Sequence, residues 1–269
     1  MNAALQDADD LALALRAADA AGHILMRHWN NRGELATRIK RAGDFLSQAD
    51  VEAEECIKTI LLGARPGDGW LGEETGASPS AKRRWIVDPL DGTTNFLRGI
   101  PHWAVSVALE VDGVRRIGVV HDPVKGETFS ARHGHGAHLN GVPIRVSQTA
   151  ELSTALFGTG IPFGGMDHID DHAADIARLM PHCAGVRRMG AAALDLAYVA
   201  AGRLDGFWER RLQQWDIAAG LVILNEAGAR ITALEPSDRP EQSGTVLCAN
   251  PALFESFAQI LRDQGSRRA

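Results

Sequence analysis

Apolar residues recur at helical spacing along the first part of the chain, at Leu11, Leu15, Ala18, Gly22, Leu25 and Trp29, and predict an amphipathic helix there. Ser47 opens a second helix, with Asp50 three positions on as a carboxylate variant of the capping box. That helix carries Cys56, Ile60 and Leu61 and stops near Gly63 and Pro66. From Trp70 the period shortens. β-prone runs follow at 70–71, 85–87, 104–111, 117–120, 128–131 and 144–146, separated by Asp-Pro, Asp-Gly and Asn-Gly pairs that favour turns. Asn140-Gly141 reads as a two-residue hairpin turn. Beyond Leu152 strands alternate with helices. A strand at 155–158 precedes a helix at 170–180, and a strand around Val186 precedes an Ala-rich helix at 191–201. A strand at Phe207-Trp208 precedes an apolar helix at 216–227; two more strands and a helix at 253–261 follow. The pattern is α/β with some antiparallel content. It predicts a single domain over 1–269 with two subdomains, 1–150 and 151–269.

Composition narrows the function classes. Lys and Arg total 28 against 34 Asp and Glu, a net charge of −6, so a nucleic-acid backbone is not the expected main partner. The longest apolar stretch, 217–224, is too short to span a bilayer. Asp7, Asp9 and Asp10 stand where a secretory signal would be basic, and a cytoplasmic setting is expected. Cys56, Cys183 and Cys248 are far apart and form no CxxC pair, so neither a disulfide framework nor a structural zinc site is indicated. His133, His135 and His138 alternate with glycine. With no Cys or carboxylate joining them in sequence, they read as a surface turn rather than a metal set. No GxxxxGK[ST] loop and no GxSxG elbow occurs.

The acidic residues carry the chemistry. Asp50 lies early in the second helix, Gly72-Glu73-Glu74 follows a short strand, and Asp216 precedes an apolar helix, where it reads as an N-cap. Between them runs Trp85-Ile86-Val87-Asp88-Pro89-Leu90-Asp91-Gly92-Thr93-Thr94-Asn95-Phe96. Asp88 ends an apolar strand, which Pro89 is expected to stop, and Asp91 follows across a turn. Carboxylates held so close need a compensating cation. Oxygen ligands without Cys or His select Mg²⁺, Mn²⁺ or Ca²⁺. Gly92-Thr93-Thr94 then offers backbone N–H groups and hydroxyls at the start of a short helix, an anion cradle. A divalent-metal site running into an anion cradle points to phosphate-ester chemistry.

These residues resemble the inositol monophosphatase family of Mg²⁺-dependent, lithium-sensitive phosphatases. The central string matches its DP(I/L)DGT(T)NF signature, and Trp215-Asp216-Ile217-Ala218-Ala219-Gly220 with Glu226-Ala227-Gly228 matches its WDxAAGxxxxxEAG signature. Gly72-Glu73-Glu74 matches its GEE turn, and the likeness runs from about Leu11 to Leu261. The resemblance implies a layered α-β-α-β-α sandwich of the inositol monophosphatase/fructose-1,6-bisphosphatase type, usually a homodimer. It implies two or three Mg²⁺ ions per site, held by Glu73, Asp88, the Leu90 carbonyl, Asp91 and Asp216. Glu73 and Thr93, with Asp50 behind Thr93, would orient and activate the attacking water. Asp91, Gly92, Thr93, Thr94, Arg187, Gly190, Ala191, Ala192, Glu209 and Asp216 would line the substrate, Glu209 reading its hydroxyls.

The chain departs from the family between Glu209 and Trp215. Many bacterial members read Gly-Leu-x-Pro where this one has Arg211-Leu212-Gln213-Gln214. Arg210 and Arg211 read as solvated arginines, with a more anionic substrate as the alternative. The expected activity is hydrolysis of inositol 1-phosphate or a related polyol phosphate. Histidinol phosphate, fructose 1,6-bisphosphate or a 3′-phosphonucleotide would suit the same chemistry. A protein-binding module on a phosphatase scaffold is the reading from a different class.

Overall fold

The first helix, α1 (Ala3–Asn30), begins earlier than the apolar period alone suggests. Its N-terminal acids are not all solvated: Asp10 is fully buried and takes ion pairs from Arg65 at 2.7 Å and Arg83 at 2.8 Å, which ties the first turns down. The computed structural model describes residues 3–34, 37–41, 44–79, 81–161 and 169–263. A hairpin of β1 (Thr37–Arg41) and β2 (Asp44–Ser47) leads into α2 (Gln48–Ala64). Ser47 caps α2 and Asp50 closes the capping box, its Oδ2 accepting the Ser47 N–H at 2.9 Å.

The first sheet comprises β3 (Gly69–Gly72), β4 (Gly76–Ala77) and β5 (Arg83–Asp91), then, after helix α3 (Thr93–Arg98), β6 (Ala104–Val111), β7 (Val114–Asp122), β8 (Glu127–Arg132), β9 (Ala137–Leu139) and β10 (Val142–Ile144). Its order is β10-β9-β8-β7-β6-β5-β3-β4, antiparallel except where β3 runs parallel to β5. The Asn140-Gly141 turn forms as expected, with φ of 49° and 78°. It sets Leu139 opposite Val142, so the last strand is 142–144 rather than 144–146. Val146 runs on past the sheet and donates to the Ala227 carbonyl at 3.2 Å.

The second half carries β11 (Leu156–Thr159), α4 (Ile169–Leu179), β12 (Gly185–Arg187), α5 (Ala192–Ala200), β13 (Gly206–Glu209), α6 (Gln214–Glu226), β14 (Arg230–Thr232), α7 (Pro240–Ser243), β15 (Val246–Ala249) and α8 (Phe254–Arg262). Its five strands order as β12-β11-β13-β15-β14, the first three parallel and the rest antiparallel.

Three apolar clusters bind these parts into α-β-α-β-α layers, the layering the resemblance implies. Helices α1 and α2 cover one face of the eight-stranded sheet around Trp70, Trp85 and Trp103. Helices α5 and α6 fill the space between the two sheets. Helices α4 and α8 cover the outer face of the five-stranded sheet around Phe157, Trp208 and Phe257. The middle layer explains the small residues of the Ala218-Ala219-Gly220 string. A Cβ at Gly118 of β7 would stand 2.3 Å from the Ala219 carbonyl oxygen, and one at Gly220 would stand 2.6 Å from Leu196. Sheet and helix meet there backbone to backbone, which only glycine permits.

Candidate metal and phosphate site

Strand β5 does not stop at Pro89, contrary to the sequence expectation. Asp88 pairs with Ser106 and Asp91 with Ala104, so one extra residue is bulged out between them. The proline's missing N–H falls inside that bulge, where no ladder bond is lost. The bulge re-aims the chain and turns both acids to one place. Asp88 accepts the Leu90 N–H at 2.9 Å. Asp91 accepts the Ala193 N–H at 2.6 Å, in the first turn of α5, whose own N-cap residue, Ala191, has no side-chain oxygen. Gly92 follows with φ of 92°, and a Cβ there would lie 3.1 Å from the His102 carbonyl and 3.2 Å from Ala191. This left-handed glycine lets β5 pass directly into α3. Thr93 then sets its Oγ1 3.0 Å from the Leu90 carbonyl and 3.2 Å from Asp50 Oδ1. Asn95 donates to the carbonyls of His102 and Met189, both at 2.8 Å, and so ties the cradle to the Gly190 segment.

Other elements bring their acids to the same spot. Glu73 follows β3, and its N–H reaches the Val87 carbonyl at 3.2 Å, one residue before Asp88. Asp216 is not the N-cap of α6. Gln213 is, and Asp216 is the third helical residue, accepting the Gln213 N–H at 2.6 Å as the carboxylate half of a capping box. Glu209 ends β13, buried against Gly160, where a Cβ would collide with its carboxylate at 2.1 Å.

The electrostatics show that these groups share one environment. Asp88 lies well above the ordinary carboxyl range, through burial first and then through Glu73, Asp91 and Asp216. Asp216 is raised by burial and by Asp91, against the Gln213 amide. Asp91 is raised by burial to about 7, the Ala193 amide opposing. Burial raises Asp50 to about 6, against its Ser47 hydrogen bond. Glu209 is raised by burial and by Asp195 and Asp91. Acids buried against one another in this way call for a counter-charge.

Among the described residues no three acids, histidines or cysteines stand ready-made as a metal shell. Asp88, Asp91 and Asp216 each commit one oxygen to a backbone amide. Those bonds fix each side chain and leave its second oxygen for another partner. The donors are all hard oxygen, and together with the buried negative charge they fit Mg²⁺ or Mn²⁺.

Several residues sit otherwise than the sequence suggested. Arg187 is exposed on β12 and turns back to the Val186 carbonyl at 3.2 Å. It is Arg188, beside Gly190, whose charge opposes the rise of Glu209 and Asp195. Arg210 is not solvated: it pairs with Asp175, itself fully buried and also bonded to the Trp208 indole at 3.1 Å. Arg211 is exposed, with φ of 61°. A carboxylate does join the His133–His138 turn: Glu226 accepts the N–H groups of Gly134 and Gly136, both at 2.8 Å. It holds the loop through those amides, and its Oε1 lies 3.7 Å from His133 Nδ1.

Two buried acids near the site, Asp195 and Glu54, carry no motif. Asp195 lies in the first turn of α5, its Oδ1 without a hydrogen-bond partner and 3.7 Å from His102 Nε2. A lone acid in the otherwise apolar 191–201 run was the available signal. Glu54 carries no such signal, because an acid on a helix reads as solvent-facing.

A family model described as the inositol monophosphatase family matches residues 7–266. A Rhizobium meliloti protein named inositol-1-monophosphatase is 43% identical over 254 residues, which cover 94% of this chain and 96% of that one. A Pseudomonas aeruginosa protein named Nus factor SuhB is 41% identical over 258 residues, 94% of this chain and 95% of its own. Among solved structures, the extragenic suppressor protein suhB from Bartonella henselae superposes with a TM-score of 0.92 at 39% identity, covering 95% of this chain and 99% of that chain. The IMPase of Thermotoga maritima gives a TM-score of 0.86 at 33% identity, covering 95% and 97%. The chain belongs to the inositol monophosphatase family.

Proposed function

We propose that this hydrolase acts on inositol 1-phosphate or a related polyol phosphate, with water as the attacking group. The observation that carries the reading is the convergence of Glu73 after β3, Asp88 and Asp91 of β5, and Asp216 of α6 beside the anion cradle of Gly92 and Thr93. In this reading Glu73, Asp88, the Leu90 carbonyl, Asp91 and Asp216 hold Mg²⁺, two or three ions per site. Bound Mg²⁺ supplies neutralisation of the phosphoryl charge and a water of lowered pKa.

The chain's own residues do the rest. Thr93 takes a proton from the attacking water as its own hydroxyl proton moves to Asp50 Oδ1, 3.2 Å away, so that the proton ends on Asp50 and Thr93 stays neutral. Burial lifts Asp50 to about 6, which suits a base working near neutral pH. The N–H groups at the start of α3 take the phosphate oxygens. Glu209, together with the Gly190–Ala192 wall, reads the hydroxyls of the substrate alcohol. The same reading has the protein working as a cytoplasmic homodimer inhibited by lithium. No described helix is long and apolar enough to cross a membrane.

The test is phosphate release from inositol 1-phosphate, histidinol phosphate, fructose 1,6-bisphosphate and a 3′-phosphonucleotide, with Mg²⁺ and with added Li⁺. Inositol 1-phosphate is expected to lead, and Asp88→Asn to abolish turnover while the fold stays intact. Turnover by that variant at saturating Mg²⁺ would overturn the assignment.

A second reading draws on the relatives named Nus factor SuhB. In it the scaffold also binds another protein, independently of the acids. Capture of the same partner by wild type and Asp88→Asn is expected if so; loss of capture in the variant would count against it.

A further inference from the structure

We propose that Glu54 is a positioning residue for Glu73, an inference that rests on the metal reading above. Glu54 lies in α2 and is fully buried. Its Oε2 accepts the Glu74 N–H at 2.8 Å and its Oε1 accepts the Thr75 N–H at 2.8 Å. One carboxylate thus grips consecutive amides of the turn that follows β3, which fixes the peptide plane immediately after Glu73. On its other side Glu73 is tied by its own N–H to the Val87 carbonyl at 3.2 Å. The turn is also pinned at its far end, where the Trp70 indole donates to Thr75 Oγ1 at 2.9 Å.

The approach is close enough to constrain the sequence. A Cβ at Gly72 would stand 2.6 Å from Glu54 Oε1 and from Trp70 Nε1. Glycine at the head of the Gly72-Glu73-Glu74 string is therefore the space that admits the Glu54 carboxylate. On the buried face of α2 Glu54 is flanked by Asp50, Ala53 and Ile57, and Lys58, one turn on, reaches the same loop, donating to Thr75 Oγ1 at 3.4 Å. Burying a carboxylate is costly. The turn it serves is half exposed, and its amides could have been left to water. What Glu54 adds is rigidity: Glu73 is held at a fixed distance from Asp88 before any ligand arrives. Outer groups of this kind change metal affinity by about 10–100-fold when lost.

The test is Mg²⁺ binding to the substrate-free protein by calorimetry, for wild type, E54Q and E54D. In E54Q one carboxylate oxygen becomes an NH₂ group that opposes a backbone donor, so the grip on one amide is lost. The Kd for Mg²⁺ is expected to rise about 10–100-fold in E54Q and less in E54D, which keeps both oxygens. I57V, buried on the same helix, lowers the melting temperature without moving the Kd. An unchanged Kd in folded E54Q, or a Kd shift in I57V matching that of E54Q, overturns the proposal. Should E54Q fail to fold, a wild-type Kd in E54D overturns it equally. Absence of Mg²⁺ binding by wild type is a separate outcome, and it brings down the metal reading itself.

Discussion

Replacing Asp91 by asparagine separates the stability of this site from its activity. Burial raises the Asp91 carboxyl from 3.8 to about 7. Each tenfold change in proton affinity is worth roughly 1.4 kcal/mol. A rise from 3.8 to about 7 therefore corresponds to about 4 kcal/mol of strain in the ionised, metal-free protein. Neighbouring acids take up protons in its place, so about 2–4 kcal/mol is the working range. The sign follows from linkage. A carboxyl raised in the folded state holds more protons folded than unfolded. It weakens the fold progressively as pH climbs from about 4 to 7, and by a constant amount above that. Asparagine cannot ionise, yet its amide oxygen can still accept the Ala193 N–H. In chelator, Asp91→Asn is expected to match wild type near pH 4 and to exceed it by about 2–4 kcal/mol at pH 7.5. With saturating Mg²⁺ the variant's advantage shrinks or reverses, because wild type, with the full ligand set, gains more from the ion. Urea unfolding at both pH values, with and without Mg²⁺, reads all of these. A variant less stable than wild type at pH 7.5 in chelator, or a difference that does not change with pH, would refute the reasoning.

Gly118→Ala places a methyl 2.3 Å from the Ala219 carbonyl, so β7 and α6 must part; a loss of about 3 kcal/mol in urea unfolding is expected, and a loss under 1 kcal/mol would deny the backbone contact of the middle layer. Arg211 has a φ of 61°, which glycine adopts freely and β-branched residues resist. Arg211→Gly should be more stable than Arg211→Val by about 1–2 kcal/mol, and equal stabilities would remove the left-handed assignment.

Long-period features were legible in the sequence because one face of each element is buried. The α1 stripe, the Asn140-Gly141 hairpin and the β6 run at 104–111 all have a local cause. The closeness of Asp88 and Asp91 was legible from the turn between them, whereas only a resemblance brought Asp216 to the same place. What remained hidden depends on partners distant in sequence. Pro89 looks like a terminator until the bulge opposite β6 is known. Asp216 looks like an N-cap until Gln213 takes that place. Arg210 looks solvated until Asp175 approaches from α4, and Glu54 looks exposed until the β3 turn folds onto it. No local pattern announces a buried polar group whose partner lies dozens of residues away.

The central claim is that Glu73, Asp88, Asp91 and Asp216 jointly hold divalent cations beside Gly92 and Thr93. A crystal grown with Mn²⁺ and measured for anomalous scattering tests it directly. The account predicts peaks bonded to oxygens of Asp88 together with Glu73 and with Asp216. Peaks elsewhere, or none while inositol 1-phosphate is still hydrolysed, would contradict it.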